Sequence, residues 1–168
     1  MEKQEYIVTA FTENQVGVLN RITAIYLRRK INIESLRVAE SSIKGLSMFV
    51  ITALTTHTTI EKVVKHINKI VEVLDAKFYT SSELITQEVA LYKISKDVFA
   101  DKSANEVVTG NKNARVIEFG GDYIVVELTG SKEDITTFKN ELEEKHILVQ
   151  FTSSGSVILH RENIDFKI

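Results

Sequence analysis

The chain has 168 residues, with 21 Lys and Arg against 23 Asp and Glu, giving a formal charge of −2. That length predicts one domain or two small ones, and 43% hydrophobic residues are enough for a buried core, which excludes a disordered chain. Near-neutral charge argues against nucleic acid as the main partner, and the lack of cysteine excludes disulfides, thiolate catalysis and cysteine-ligated zinc. No run approaches the roughly 18 apolar residues of a membrane span. The charged start, Met1 to Glu5, carries no apolar leader, so a cytoplasmic protein with no membrane partner is expected.

Proline is absent, so boundaries are read from glycines, polar clusters and changes of hydrophobic period. Tyr6 to Thr12, rich in β-branched and aromatic residues, predicts a strand. From Val18 the apolar residues fall at helical spacing through Leu27, and this helix should end near Lys30. Ile33 to Glu40 and Leu46 to Leu54 read as strands joined by a turn at Ser41 to Gly45. Thr59 is placed as the N-cap of a helix carrying Ile60, Val63, Val64, Ile67 and Ile70, and Val71 to Tyr79 follows as a strand. The order β-α-β-β-α-β is the ferredoxin-like unit.

The second half repeats it. Glu88 to Ser95 is a strand, Asp97 to Gly110 a helix, and Arg115 to Phe119 with Tyr123 to Thr129 a hairpin around Gly120-Gly121-Asp122. Ser131 caps a helix with Ile135, Phe138 and Leu142 inward, and Glu133 and Asp134 suit the positive end of its dipole. Ile147 to Thr152 completes the unit, and Val157 to His160 forms a tail strand beyond Gly155. The expected class is α+β, two tandem ferredoxin-like units, with domains at residues 1–80 and 81–168 and a Ser/Thr-rich linker at Thr80 to Thr86.

The segment from Glu13 to Asn20 joins the first strand to the first helix. A helix start offers unpaired N–H groups and partial positive charge to a carboxylate or phosphate. Gly17 allows a ligand close to the backbone, and Asn14 brings an amide that both donates and accepts. The same residues also fit a plain strand-to-helix turn capped by Asn14. His57, His66, His146 and His160 are scattered without metal-ligand spacing and read as surface or edge residues, and no metal site is expected. Arg28-Arg29-Lys30 reads as a solvated helix end complementing the dipole, with a partner contact as the other option.

E-N-Q-V-G-V-L-N-R at Glu13 to Arg21, followed by N-I-E-S-L-R-V-A at Asn32 to Ala39, resembles the acetolactate synthase small-subunit family. In that family an N-terminal ACT domain reads E-N-x-x-G-[AV]-L before a helix and N-I-E-S-L after it. Q-E-V-A-L-Y-K-I at Gln87 to Ile94 and V-V-E-L-T-G at Val125 to Gly130 are similar to its C-terminal domain. Three positions depart from the family's usual residue. Gln87 and Met48 stand where Arg is common, and Glu162 where Gly is usual.

The resemblance implies a regulatory subunit with no catalytic site or cofactor of its own. It would stimulate a large catalytic subunit that carries thiamine diphosphate, a divalent metal and FAD. It also implies feedback by a branched-chain amino acid, usually valine, bound between the ACT domains of a homodimer or higher oligomer. On that pattern Asn14, Gly17, Val18 and Leu19 form one side of the effector site, and Asn32 and Ile33 of the neighbouring chain form the other. The remaining options are a free-standing ACT module that regulates another protein, and an acyl-phosphate hydrolase. The hydrolase lacks the Asn it needs between Leu36 and Glu40.

Overall fold

The computed structural model describes residues 2–99 and 102–161, which divide into two compact units. The first runs to Ile85 and takes in the chain again from Ile158, while the second is Thr86–Val157. In the first unit the order is β1 (Gln4–Glu13), α1 (Val18–Arg28), β2 (Ser35–Glu40), β3 (Leu46–Thr55), α2 (His57–Ile67) and β4 (Val73–Tyr79). The strands form an antiparallel sheet in the order β2-β3-β1-β4.

The hydrophobic pattern dictates which strands are central. β1 and β3 are apolar on both faces and lie inside the sheet, whereas β2 alternates half-buried and exposed residues at its edge. Tyr6, Val8 and Ala10 of β1 pack with Phe49 and Ile51 of β3 against Ile22 and Ile25 of α1 and Ile60 and Val63 of α2. The opposite face of the sheet, with Ile7 and Val50, is covered by Leu84 and Ile158.

That covering corrects the expected domain limits of 1–80 and 81–168. Leu84 and Ile158, both placed in the second domain by the sequence, are buried against the first sheet because Ile7 and Val50 would otherwise face water. The expected linker is also ordered. Thr80 starts a capping-box turn at Ser81–Glu83, with its N–H donating to Glu83 Oε2 at 2.7 Å. Arg161 Nε donates to the Ser82 carbonyl, tying the returning chain to this turn.

The second unit follows the same plan with β5 (Leu84–Ser95), α3 (Lys102–Gly110), β6 (Ala114–Phe119), β7 (Tyr123–Gly130), α4 (Lys132–Glu144) and β8 (Leu148–Ser153). Its sheet order is β6-β7-β5-β8, and β9 (Val157–His160) also pairs with β5. Tyr92 and Ile94 of β5 and Val126 and Leu128 of β7 pack against Ile135, Phe138 and Leu142 of α4. The Tyr92 hydroxyl donates to the Ile135 carbonyl at 2.8 Å, which satisfies it inside this core. Both units are ferredoxin-like, and the class is α+β, as the sequence predicts.

Local differences have local causes. Thr56, not Thr59, stands at the N-cap of α2 in extended conformation. The helix expected from Asp97 is a 3-10 turn at Lys96–Phe99 followed by α3. Ser131 caps α4 as expected, accepting from the Asp134 N–H, while the Asp134 carboxylate accepts from the Ser131 N–H. α1 and α4 end alike. Lys30 and His146 both take φ 55°, and the next residues, Ile31 and Ile147, donate back to Tyr26 and Leu142.

Two outcomes are expected on unfolding in urea. Ser131→Ala removes the cap and should lower stability by about 1 kcal/mol. His146→Gly relieves a left-handed residue, worth about 1–2 kcal/mol, against glycine's extra unfolded freedom of about 0.4–1 kcal/mol. A small net gain is therefore expected, and a loss would show that the His146 side chain holds the helix end.

Candidate functional site

The loop from β1 to α1 is tied down at several points. The Glu13 N–H donates to the Glu72 carbonyl at 2.8 Å, and the Asn14 N–H donates to the Gly45 carbonyl at 3.1 Å. Gly45 itself sits at φ 85° in the β2–β3 turn. Gln15 folds back on Glu13 through both its backbone and its side chain. On the helix side, Arg21 Nη2 lies 2.8 Å from Glu72 Oε1. Glu72 therefore grips the loop twice, by its carbonyl at the start and by its carboxylate beyond the first helical turn.

Between these ties Gly17 takes φ 91° and becomes the N-cap of α1. Its carbonyl accepts the Arg21 N–H at 3.2 Å, the first bond of the helix. No side chain caps this end, and no acid lies in the first turn. The alternative of Asn14 as a cap is thereby corrected, because Asn14 lies three residues before Gly17 and is exposed. The N–H groups of the first turn and the positive end of the helix remain available to an anion.

These groups face a cleft of about 270 Å³ lined by residues 12–19 together with Val38, Ser47 and Phe49. Asn14, Gly17, Val18 and Leu19 are thus brought together. Val18 is buried as the floor, while Leu19 and Val38 leave apolar surface exposed at the mouth. Asn32 and Ile33 of the same chain lie away from this cleft. Asn32 Nδ2 donates to Glu34 Oε1 at 3.0 Å, and Ile33 packs beside the core.

The walls Val38, Ser47 and Phe49 were missed by sequence reasoning. Val38 and Phe49 are register partners, so alternation along β2 carries a signal for them once the strand pairing is known. Met48 turns to the opposite face beside Ile7 and Val50, so its departure from Arg does not touch the cleft. Gln87 is exposed on β5, and Glu162 lies outside the described residues. Among the described residues no three His, Asp or Glu side chains gather to hold a metal, and no helix is long and apolar enough to cross a membrane.

Comparison with known proteins places both halves of the chain. Residues 9–75 match the AHAS small subunit-like ACT domain, and residues 87–162 match the small subunit of acetolactate synthase family. The chain belongs to the acetolactate synthase small-subunit family. It is 29% identical over 161 residues to the acetolactate synthase small subunit of Mycobacterium bovis, covering 96% of this chain and 95% of the relative. It is 26% identical to the probable small subunit of Archaeoglobus fulgidus, covering 95% and 98%. The crystal structure of the small subunit from Thermotoga maritima superposes with a TM-score of 0.81 at 27% identity, covering 96% of this chain and 99% of that one. The ACT match spans the whole cleft-lining loop.

The Arg21 hydrogen bond holds the Glu72 carboxyl below the usual carboxylate range. A lowered folded pKa contributes stability above the unfolded value and loses it as pH falls through the folded one. Glu72→Gln should therefore flatten the loss of thermal midpoint below about pH 4.5, and an unchanged profile would show that the pair is not formed in solution. At Gly17 an added Cβ meets nothing within 4 Å, so Gly17→Ala tests backbone conformation alone. It should cost about 1 kcal/mol in urea unfolding.

Proposed function

We propose that this chain is the regulatory subunit of acetolactate synthase. In this reading it stimulates the large catalytic subunit and confers feedback inhibition by a branched-chain amino acid, valine foremost. Thiamine diphosphate, a divalent metal and FAD belong to the catalytic subunit, and this chain acts through its contacts with that enzyme.

The observation that carries the reading is the uncapped start of α1 behind Gly17, opening on an apolar-walled cleft inside the matched ACT segment. The first-turn N–H groups receive the effector's carboxylate, each charge-assisted bond contributing about 1.5–3 kcal/mol. The Asn14 amide takes up the ammonium, and Val18, Leu19 and Val38 enclose the branched side chain. Burying that side chain contributes about 1.5–3 kcal/mol.

One chain supplies only part of this enclosure. β2 is an edge strand with Leu36 and Val38 exposed, an arrangement suited to meeting the same strand of a second copy. Asn32 and Ile33 of that copy then close the site from the other side, and the homodimer becomes the minimum sensing unit. The effector shifts the balance between dimer arrangements by binding one of them better.

Reconstitution with the catalytic subunit tests this. Acetolactate formation should rise on adding the chain and fall again with valine, while Asn14→Ala and Gly17→Asp should still stimulate but respond to valine about tenfold more weakly or not at all. Stimulation without response to valine, leucine or isoleucine would remove the sensing role. No stimulation by a folded chain that binds an amino acid would favour the free-standing ACT module.

A further inference from the structure

Charge is distributed very unevenly in the first unit. Residues 18–30 and 57–70, which comprise its helices and their ends, contain seven Lys and Arg against the single acid Glu61, although the whole chain sums to −2. Two of the seven are neutralised, Arg21 by Glu72 and Lys65 by Glu61. Arg28, Arg29, Lys30, Lys62 and Lys69 have no carboxylate partner among the described residues. Arg29 instead places Nη2 3.1 Å from His66 Nδ1, bridging the two helices.

This basic face is not flat. A groove of about 450 Å³ runs between α1 and the end of α2, with Ala24, Leu27 and Ile70 among its apolar lining and Arg28 and Lys69 among its cations. Leu27 keeps 78% of its surface exposed, although it belongs to the same helix as the core residues Ile22 and Ile25. An apolar trough between two helices accepts the apolar stripe of a third, and flanking cations select one whose outer face is acidic.

We propose that this face docks an acidic amphipathic helix of the catalytic subunit, an inference that rests on reading the chain as that enzyme's regulatory subunit. Charge complementarity commits the occupant. A second copy would bring the same excess of cations and repel. Single-stranded nucleic acid needs stacking rings, and the groove has no Phe, Tyr or Trp among its lining residues. The surface is distinct from the effector cleft in that no residue lines both, although the cleft ends at Leu19 and the groove begins at Asn20 on the same helix.

The test is a titration of the catalytic subunit with this chain at two salt concentrations, using Arg28→Glu/Lys69→Glu and, separately, Leu27→Asp. All three positions are at the surface of the groove, and unchanged thermal midpoints check the fold. For the wild type, the concentration giving half-maximal stimulation should rise with salt. The charge-reversed variant should need about tenfold more and lose most of that salt dependence. Leu27→Asp should weaken stimulation similarly, and valine binding to each variant alone, measured by calorimetry, should be unchanged.

Variants that titrate like a stimulating wild type overturn the docking surface and leave the regulatory reading intact. A wild type that gives no stimulation overturns the regulatory reading, and this proposal with it. If the reversals change only the sedimenting mass, the face joins copies of the chain. If they abolish only salt-sensitive retention of a labelled single-stranded oligonucleotide, it binds nucleic acid. Either result overturns the proposal.

Discussion

The site depends on Glu72. This residue lies between α2 and β4, yet its carbonyl holds Glu13 at the end of β1 and its carboxylate holds Arg21 in α1. The strand-to-helix loop is therefore fixed at both ends by one residue that belongs to neither element. Such a clamp lets the loop leave its amides unpaired without fraying. An uncapped helix start is normally a small loss of stability, and here the cost falls at the place where the proposed effector would supply the missing acceptors. Gly17 completes the arrangement, because its left-handed backbone turns the chain into α1 with no side chain in front of the first turn.

The same unit is closed on its back by residues remote in sequence. Ile7 of β1 is covered by Leu84 and Ile158, which lie immediately outside the two ends of the second unit, Thr86 and Val157. Both covalent connections to that unit are thus anchored on the ACT sheet. β1 leads into the candidate loop at its end and carries these anchors on its face. A ligand seated in that loop, as proposed, would therefore act next to a strand that Leu84 and Ile158 cover. Coupling of about 1–3 kcal/mol is the scale on which such effects operate.

Much of this was legible in the sequence. The change from period 2 to period 3.6 at Val18, the turn chemistry at Gly45 and Gly120, and the Ser131 cap each act within a few residues, so a linear reading finds them. The candidate loop was legible too, because residues 12–19, which line the cleft together, are consecutive in the chain. The misses are non-local. Leu84 and Ile158 look like parts of the second domain until the uncovered face of the first sheet is known. Thr56 and Thr59 are equally good caps by type, and the folded backbone distinguishes them, with the Thr59 and Ile60 N–H groups both donating to the Thr56 carbonyl. Val38, Ser47 and Phe49 wall the cleft through strand register, which no single segment encodes.

Composition hid the charge pattern for a related reason. A total of −2 describes the chain as nearly neutral, but folding collects cations from two stretches almost thirty residues apart onto one helical layer. Arg28-Arg29-Lys30 alone reads as a solvated helix end. In the folded unit Arg28 of this triplet and Lys69 both line one apolar groove, the proposed docking surface. The first unit then presents two faces with separate chemistry, joined by α1. Its N-terminus leaves uncapped N–H groups at the cleft, which ends at Leu19, and from Asn20 to Arg28 the same helix lines the basic groove. If the proposed effector binds one arrangement of α1 better than another, the adjoining groove shifts with it, because Leu19 of the cleft and Asn20 of the groove are neighbours on this helix. By reciprocity, the proposed partner in the groove would then alter affinity for the effector by the same factor.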